Sequence, residues 1–468
     1  MACANNRTRR QRKRNSSRKI LIGEVQKQIE ILGQADQLVF TRLIEEEVVE
    51  QLLEELACHA RHRIFTPHVT LAAFLGQAIS DDGSCQQAVH RVNKHRCSQG
   101  LLPASIDTNS YCESRHRLPE ELFLKLLERS AELVQWHEPE AWLWKERRVV
   151  LVDGCTARAA DTPANQAAFP QPSSQEPGLG FPQVRLLVAI SLSSAVVLDV
   201  QIGPVEGKHT GELSLFRRMT CVFRRGDVVV ADANFDSYVD IATLKQQRVD
   251  FVGAIAGSRT SPFTGKCRCI EDKRVRLKRP QFDKNRFTRE QWEALPKFLH
   301  VRMIRYQTDG RNEQITIITT LLNQERYPAR SIADLYGYRW NCELDLRSIK
   351  TVLGMEELRC KSPEMLRREI YNYFLAYNLV RAAMCDAARI TGQEPRKLSF
   401  KNAMQAIVEY ASLVSKDEHA IATMLWSIAC NNVGNRPGRK EPRKIKHRRN
   451  KYSYMTKPRA EEKEALNA

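Results

Sequence analysis

Two short apolar runs, each ended by an aspartate, constrain the fold of this chain more than any other feature. The first is Arg148-Val-Val-Leu-Val-Asp153-Gly154, and the second is Asp227-Val-Val-Val-Ala-Asp232. Continuous runs of β-branched residues are typical of strands that are buried on both faces of a sheet. Each run thus predicts a strand that ends at an acid, and both aspartates are candidate site residues.

The segments around these runs predict how the strands connect. Strands are predicted at Val184 to Ser191, Ala195 to Ile202 and Phe251 to Ile255, and helices at residues 209 to 223 and Tyr238 to Gln247. With the two acidic runs, the order is β-β-β-α-β-α-β, which matches a ribonuclease H-like core whose first and fourth strands are neighbours. We therefore predict an α/β fold in which Asp153 and Asp232 meet at one edge of the sheet.

A third acid lies in a segment where Tyr336, Arg339, Glu343 and Lys350 recur at helical spacing. At about 100° of rotation per residue, these side chains fall within an arc of about 60° on one predicted helix. If each residue type has a frequency of about 5 %, this spacing arises by chance in about one such chain in three hundred. Trp340 lies about 40° from Tyr336 on the same helix, where it either lines a groove or packs inside.

Asp153, Asp232 and Glu343 together provide the ligands of a two-metal site. Hydrolysis or transesterification of a phosphodiester by two divalent ions needs several carboxylates, which hold the ions about 3.5 to 4 Å apart. Hard oxygen ligands favour Mg²⁺ or Mn²⁺. A single aspartate at a strand end is more often a turn or helix cap, but here three acids occupy the positions that the topology requires. Arg339 and Lys350 then either pair with acids of their own helix or contact a phosphate backbone.

The distribution of charge indicates a polyanionic partner. The formal net charge is +18, and most of it lies at the two ends of the chain. Residues 1–20 contain eight Arg or Lys and no acid, and residues 435–468 contain twelve Arg or Lys and four Glu, a net charge of +8 for each segment. Such segments are either solvated ends or phosphate-binding tails, and two of them on one chain favour contact with DNA.

Cysteine usage and hydropathy indicate the cell compartment. Thirteen cysteines are scattered without a Cys-x-x-Cys pair, as expected of a reduced cytoplasm. The basic start continues into Lys19-Ile-Leu-Ile-Gly-Glu, whose acid interrupts the apolar stretch that a signal peptide needs. Leu186 to Ile202 is broken by serines and Asp199, so it predicts two strands and not a membrane span. We predict a cytoplasmic, nucleoid-associated protein without membrane contact.

Periodicity and composition divide the chain into regions. We predict a basic disordered arm at 1–20, a helical DNA-binding domain at 21–140, a catalytic core at 141–256 and 326–364, a β-rich insertion at 257–325, a helical region at 365–434 and a basic tail at 435–468. Helices are predicted at Ile29 to Leu53 and Leu122 to Leu133, on either side of a polar connection from Ser80 to Ser110. Later elements are predicted as strands at Leu299 to Gln307 and Gln314 to Leu322, and as helices at Met365 to Ile390 and Ser399 to Val414.

The spacing Tyr336-x2-Arg339-x3-Glu343-x6-Lys350, with Asp153-Gly154 and Asp232-Ala-Asn-Phe235 upstream, resembles the signature of DDE transposases of the insertion-sequence 4 family. The segment Gly211-Glu-Leu-Ser-Leu-Phe also resembles that family. The resemblance implies that Asp153, Asp232 and Glu343 are the metal-binding catalytic triad. It further implies that Tyr336, Arg339 and Lys350 contact phosphates of the transposon ends, and that a homodimer brings two ends together.

We therefore expect a cut-and-paste DNA transposase that binds the terminal inverted repeats of its own element, cleaves them with Mg²⁺ or Mn²⁺ and transfers the strands. Two alternatives remain open. One is a domesticated, non-catalytic DNA-binding protein, and the other is a stand-alone nuclease on the same core. Acids at all three predicted positions favour an enzyme.

Overall fold

A mixed α/β architecture, with one eight-stranded sheet and helices packed against it, is seen in the computed structural model. The structure describes residues 43–58, 63–208, 210–257, 259–265, 267, 269–283, 288–307, 314–414, 418–434, 455–458, 461–462 and 464–465. The predicted arm at 1–20 and most of the predicted tail at 435–468 lie outside the described residues, as does the first part of the helix predicted from Ile29.

The sheet has the strand order β3-β2-β1-β4-β5-β8-β7-β6. The strands are β1 (Val149–Arg158), β2 (Gln183–Ser191), β3 (Val197–Pro204), β4 (Val228–Ala231), β5 (Asp250–Ala254), β6 (Glu271–Lys278), β7 (Phe298–Gln307) and β8 (Gln314–Thr319). Strands β1, β4 and β5 are parallel, whereas the other pairs are antiparallel. The predicted adjacency of the first and fourth strands is therefore confirmed.

Strand β1 lies at the centre of the protein and is buried on both faces. Val149 and Leu151 belong to one hydrophobic core, and Val150 and Val152 belong to the core on the opposite face. This two-sided burial is the reason for the unbroken apolar run. Asp153 was predicted at the end of this strand, but β1 continues to Arg158 because β2 pairs with it along its whole length. Pairing with β4 stops at Leu151, so β1 is free of β4 from Asp153 onward.

The segment predicted as a β-rich insertion contributes three strands to the same sheet. Strand β8 pairs antiparallel with β5, and β7 and β6 follow in order. The strands predicted at Leu299 and Gln314 are confirmed as β7 and β8. Strand β6 was not predicted, because its sequence Glu-Asp-Lys-Arg-Val-Arg-Leu-Lys is charged. Charged residues suit an edge strand, where one face and one row of backbone groups meet solvent.

Helices form both ends of the described chain and the connections of the sheet. They are α1 (Glu46–Glu55), α2 (Pro67–Ala78), α3 (Cys85–Ser98), α4 (Asn109–Arg117), α5 (Glu120–Trp136), α6 (Pro163–Ala168), α7 (Glu212–Arg218), α8 (Tyr238–Gln246), α9 (Arg289–Ala294), α10 (Ala329–Gly337), α11 (Trp340–Arg347), α12 (Pro363–Thr391), α13 (Phe400–Val414) and α14 (Glu418–Ala429). The polar connection predicted from Ser80 to Ser110 is wrong, because α3 lies within it. This helix buries only Ala88, Val89 and Val92, too narrow an apolar face to give a clear helical pattern.

The long helix α12 connects the N-terminal helices to the sheet. Asn378 lies inside the protein, where its side chain bonds to both backbone groups of Val197 in β3, at 2.8 and 2.9 Å. Its amide also donates to Ser130 of α5, at 2.8 Å.

Helix α12 is the longest one in the structure, yet among the described residues no helix has the combined length and apolarity to cross a bilayer.

Candidate active site

Asp153 and Asp232 lie on neighbouring parallel strands, as the topology predicted. Asp153 is in the middle of β1, and its Oδ1 accepts a hydrogen bond from the backbone N–H of Gly154, at 2.9 Å. Asp232 directly follows β4 and caps a short 3₁₀ turn, where its Oδ1 accepts from the backbone N–H of Asn234, at 2.8 Å. Backbone hydrogen bonds thus orient both carboxylates at the end of the sheet where β4 stops.

Arg339 joins the first acid of the site to the third. Its Nη1 donates to Oδ2 of Asp153 at 3.2 Å, and its Nη2 donates to Oε1 of Glu343 at 2.8 Å. The Arg339 side chain is 19 % exposed, so the guanidinium is largely removed from solvent. One cation therefore holds together two carboxylates that are 190 residues apart in the sequence.

The helix that carries Glu343 is interrupted, contrary to the prediction of one continuous helix. Helix α10 ends at Gly337, α11 begins at Trp340, and a π-helical turn follows at Ser348–Val352. Across the junction, the N–H of Arg339 bonds to Tyr336 only three residues back. Glycine has low helix propensity and favours such a break. Tyr338 and Arg339 keep right-handed helical backbone angles, so Arg339 still lies one helical turn before Glu343 and pairs with it.

Like charges and burial together shape the electrostatics of Asp153. Burial is the largest cause of a rise in the pKa of this carboxyl to about 6; the carboxylates of Asp232 and Glu343 add to the rise, and the Gly154 N–H and Arg339 oppose it. Burial likewise raises the pKa of Tyr336, a ring close to Arg339 and both aspartates. The site therefore holds more negative charge than its single arginine neutralises.

The remaining predicted residues surround this centre. Tyr336 is half-buried and packs against the larger hydrophobic core. Lys350 lies in the π-helical turn near Cys155: burial raises the pKa of that thiol to about 12, and the Lys350 charge opposes the shift. Trp340 is 54 % exposed. The structure thus brings Tyr336, Arg339, Glu343 and Asp153 together, leaves Lys350 beside them on the β1 side, and turns Trp340 to solvent.

Two residues near the acids, Asn234 and Glu212, were not predicted from the sequence. The side-chain amide of Asn234 donates to Oδ2 of Asp232 at 3.3 Å and to Oε2 of Glu212 at 3.4 Å. Both residues belong to segments that resemble the family, but neither has a spacing that signals a site. Their role depends on contacts through space between β4 and α7.

The chemistry of these side chains fits a divalent metal ion. Within the described part of the chain, no three acidic, histidine or cysteine side chains are arranged as a metal cluster. Instead, the Arg339 guanidinium lies between Asp153 and Glu343 and supplies positive charge there. The available donors are carboxylate oxygens, which suit Mg²⁺ and Mn²⁺. The carboxylates of Asp232 and Glu343 add to the raised pKa of Asp153, as expected where several acids lie close together.

Removal of the Asp153 charge is expected to stabilise the metal-free protein above pH 6. A raised carboxyl pKa means that ionisation opposes folding, so the cost is absent below pH 4 and complete above about pH 6. The rise from 3.8 to about 6 corresponds to at most about 3 kcal/mol. We expect Asp153→Asn to increase the free energy of unfolding by up to this amount at pH 8 in EDTA, and much less at pH 4.5. Urea denaturation at both pH values measures the difference.

The control for this measurement is Asp161→Asn, a change at an exposed acid outside the site. It should alter the stability equally little at both pH values. A gain for Asp153→Asn that is the same at pH 4.5 and pH 8 would contradict the electrostatic explanation.

Comparison with known sequences gives the class of protein to which this fold and its acidic site belong. Residues 144–379, half of the chain, match the family model described as the transposase DDE domain, and the chain therefore belongs to this family. It is a DNA transposase, an enzyme that cleaves DNA and transfers strands. The predicted family and the predicted transposase activity are confirmed.

The comparisons with individual proteins found similar sequences and a similar solved structure. The chain is 26 % identical over 343 residues to the transposase InsG of insertion sequence element IS4 from Escherichia coli (strain K12), across 70 % of this chain and 72 % of that protein. A 64-residue stretch is 34 % identical to the putative transposase InsL of element IS186A from the same strain, across 14 % and 17 % of the two chains. A cryo-EM structure of a piggyBac transposase synaptic complex with hairpin DNA aligns over 85 % of this chain and 86 % of that chain, with a TM-score of 0.44 and 11 % identity.

Proposed function

We propose that Asp153, Asp232 and Glu343 are the catalytic triad of a ribonuclease H-like core and hold two divalent ions, Mg²⁺ or Mn²⁺. The observation that carries the proposal is the pairing of Arg339 with both Asp153 and Glu343, next to Asp232 on the adjoining parallel strand. When bound, such ions activate a water and stabilise charge that develops on a phosphodiester. The reaction we assign is cleavage at the terminal inverted repeats of the element, followed by transfer of the freed 3′ ends.

Each acid has a separate means of support. Asp153 is held by the rigid centre of the sheet, and Asp232 by the turn after β4. Glu343 is on α11, which packs against β1. Arg339 balances the carboxylates in the resting protein, and it stands within reach of a phosphate placed against them. Rigid strands and a packed helix therefore position the three acids with little freedom, as catalysis requires.

The surroundings of the acids suit the DNA backbone. Lys350 forms no ion pair with any residue that the structure describes, although acids lie nearby. Trp340 presents an exposed ring on the same helix as Glu343. Tyr336 lies between the acids and the hydrophobic core. We assign Lys350, Tyr336 and Arg339 to phosphate contacts and Trp340 to stacking or packing against the bound DNA.

The remaining parts of the proposal concern assembly. The predicted N-terminal domain at 21–140 would recognise the end sequence, and the basic segments at 1–20 and 435–468 would add affinity for any DNA, because they carry most of the net charge. A homodimer would join two ends. A nucleoid-associated location in the cytoplasm follows from such a substrate.

A Lys350→Ala variant is expected to bind DNA more weakly without loss of sequence preference. Removal of one phosphate contact should reduce the slope of log affinity against log salt by about 1. Fluorescence anisotropy with end-containing and scrambled duplexes, at several salt concentrations, measures both quantities. The exposed Lys397, which pairs with Glu394 beyond α12, is the matched control, and Lys397→Ala should leave the slope unchanged. An unchanged slope for Lys350→Ala would remove this residue from the DNA contacts.

The overall proposal is tested with labelled duplexes that carry the DNA ends flanking the gene. With Mg²⁺, we expect cleavage at the ends and joined products, and neither with a scrambled duplex. End binding without cleavage would support the domesticated binding protein. Cleavage that ignores the end sequence would support the stand-alone nuclease.

A further inference from the structure

We propose that Glu212 is a positioning residue of the active site, which holds Asp232 in place through Asn234. The inference rests on the proposed role of Asp232 as a metal ligand. Glu212 begins α7, directly after the loop that follows β3. It lies outside the predicted triad, 20 residues before Asp232 in the sequence.

Asn234 forms the bridge between the two acids. Its amide group is 3.4 Å from Oε2 of Glu212 and 3.3 Å from Oδ2 of Asp232. A side-chain amide has two N–H groups, so it can donate to both carboxylates at once. The backbone N–H of Asn234 meanwhile donates to Oδ1 of Asp232, at 2.8 Å. Asn234 thus fixes both oxygens of Asp232, and Glu212 fixes the side chain of Asn234.

Glu212 also lies against the residue that follows the first acid. A Cβ atom built on Gly154 would be 2.3 Å from Oε1 of Glu212 and 2.8 Å from its Cδ. Only a glycine leaves room for the carboxylate at this point of β1. Glu212 therefore touches the backbone beside Asp153 and, through Asn234, the side chain of Asp232, so that it spans the two strands that carry the acids.

No salt bridge to a described residue explains the location of the Glu212 side chain. Among the described residues, Glu212 makes an ion pair with neither a lysine nor an arginine, and Asn234 is the side chain to which it is hydrogen-bonded. An acid in the first turn of a helix is favourable by itself, but that preference requires neither the contact with Gly154 nor the bridge to Asp232.

Mn²⁺ binding to the full-length protein tests the proposal without reference to DNA cleavage. Titration followed by electron paramagnetic resonance gives the affinity of each variant. Loss of a residue that orients a metal ligand typically weakens binding about tenfold or more. We therefore expect Glu212→Ala and Asn234→Ala each to bind Mn²⁺ about tenfold more weakly. Glu212→Gln keeps an acceptor for Asn234 and should stay within about twofold of the unaltered protein.

A double variant distinguishes the bridge from two independent effects. Because both residues act through one chain of contacts, Glu212→Ala with Asn234→Ala should lose no more affinity than either change alone. Glu290 in the first turn of α9 is the matched control for a helix-start acid, and Glu290→Ala should leave Mn²⁺ binding unchanged. The Asn234 side chain is exposed, so Asn234→Ala reports on the bridge even if Glu212→Ala does not fold.

Two results would overturn the proposal. One is Mn²⁺ affinity within twofold of the unaltered protein for Asn234→Ala, and the other is a double variant whose losses multiply. Two further variants show separately whether the proposed triad binds the metal. If Asp153→Ala and Asp232→Ala bind Mn²⁺ as tightly as the unaltered protein, the metal site is elsewhere. If those two variants lose Mn²⁺ and Asn234→Ala does not, only the role of Glu212 is wrong.

Discussion

Asp232→Asn is expected to abolish DNA cleavage and strand transfer while the fold remains intact. The change removes one carboxylate charge but preserves the size of the side chain and its cap on the turn after β4. Metal ions contribute several kcal/mol to stabilisation of such transition states. Because about 1.4 kcal/mol corresponds to a factor of ten in rate, we expect a loss of at least about 10³-fold. Asp153→Asn and Glu343→Gln should cause losses of the same order.

The measurement is single-turnover cleavage of the end-containing duplex with saturating protein and Mg²⁺. Circular dichroism and DNA affinity should remain those of the unaltered protein, which separates chemistry from folding and binding. Asp81→Asn changes an exposed acid away from the sheet edge and should cleave at the normal rate. Cleavage by Asp232→Asn within tenfold of normal would remove Asp232 from the triad.

Asp345→Ala is expected to be the most destabilising single change near the site. Asp345 lies on α11, two residues after Glu343, and is 1 % exposed. It accepts from Arg381 of α12 at 2.7 Å and from Arg396 at 2.9 Å. Loss of this carboxylate leaves two largely buried guanidinium groups without their acid, a defect that typically costs about 3 to 5 kcal/mol. Urea denaturation should show a reduction of this size.

Arg396 extends the effect of Asp345 to the sheet, since it also donates to the backbone oxygens of Ser191 and Leu192. The network therefore links the helix that carries Glu343 to the end of β2. Asp334→Ala is the matched control, because Asp334 forms an exposed pair with Arg330 and exposed pairs contribute only about 0 to 1 kcal/mol. Similar losses for Asp345→Ala and Asp334→Ala would show that the buried network does not stabilise α11.

The central strands could be predicted from the sequence because their burial leaves a direct pattern. Strand β4 and the first four residues of β1 are unbroken apolar runs, and their parallel pairing followed from the order of elements. Strand β6 could not be predicted in this way, because its charged residues are held at the sheet edge by pairing with β7. Helix α3 was missed for a similar reason, since it buries only a narrow face.

The neighbouring positions of Asp153 and Asp232 followed from the predicted order of the strands, and the pairing of Arg339 with Glu343 followed from helical spacing. The contact between Arg339 and Asp153 could not be predicted, because it joins side chains that are 186 residues apart in the sequence. The link from Glu212 to Asp232 through Asn234 also depends on side-chain contacts between separate elements, which residue spacing does not reveal.

The most direct test of metal-dependent catalysis at this sheet edge is the metal dependence of an Asp153→Cys variant. A thiolate is a poor ligand for Mg²⁺ and accepts softer ions more readily. We measure single-turnover cleavage of the end-containing duplex with Mg²⁺ and with Mn²⁺, for this variant and for the unaltered protein. We expect the unaltered protein to be active with both ions, and Asp153→Cys to be inactive with Mg²⁺ but at least about tenfold faster with Mn²⁺. Equal cleavage by Asp153→Cys with either ion, or undiminished cleavage by the unaltered protein in EDTA, would contradict a metal site at Asp153.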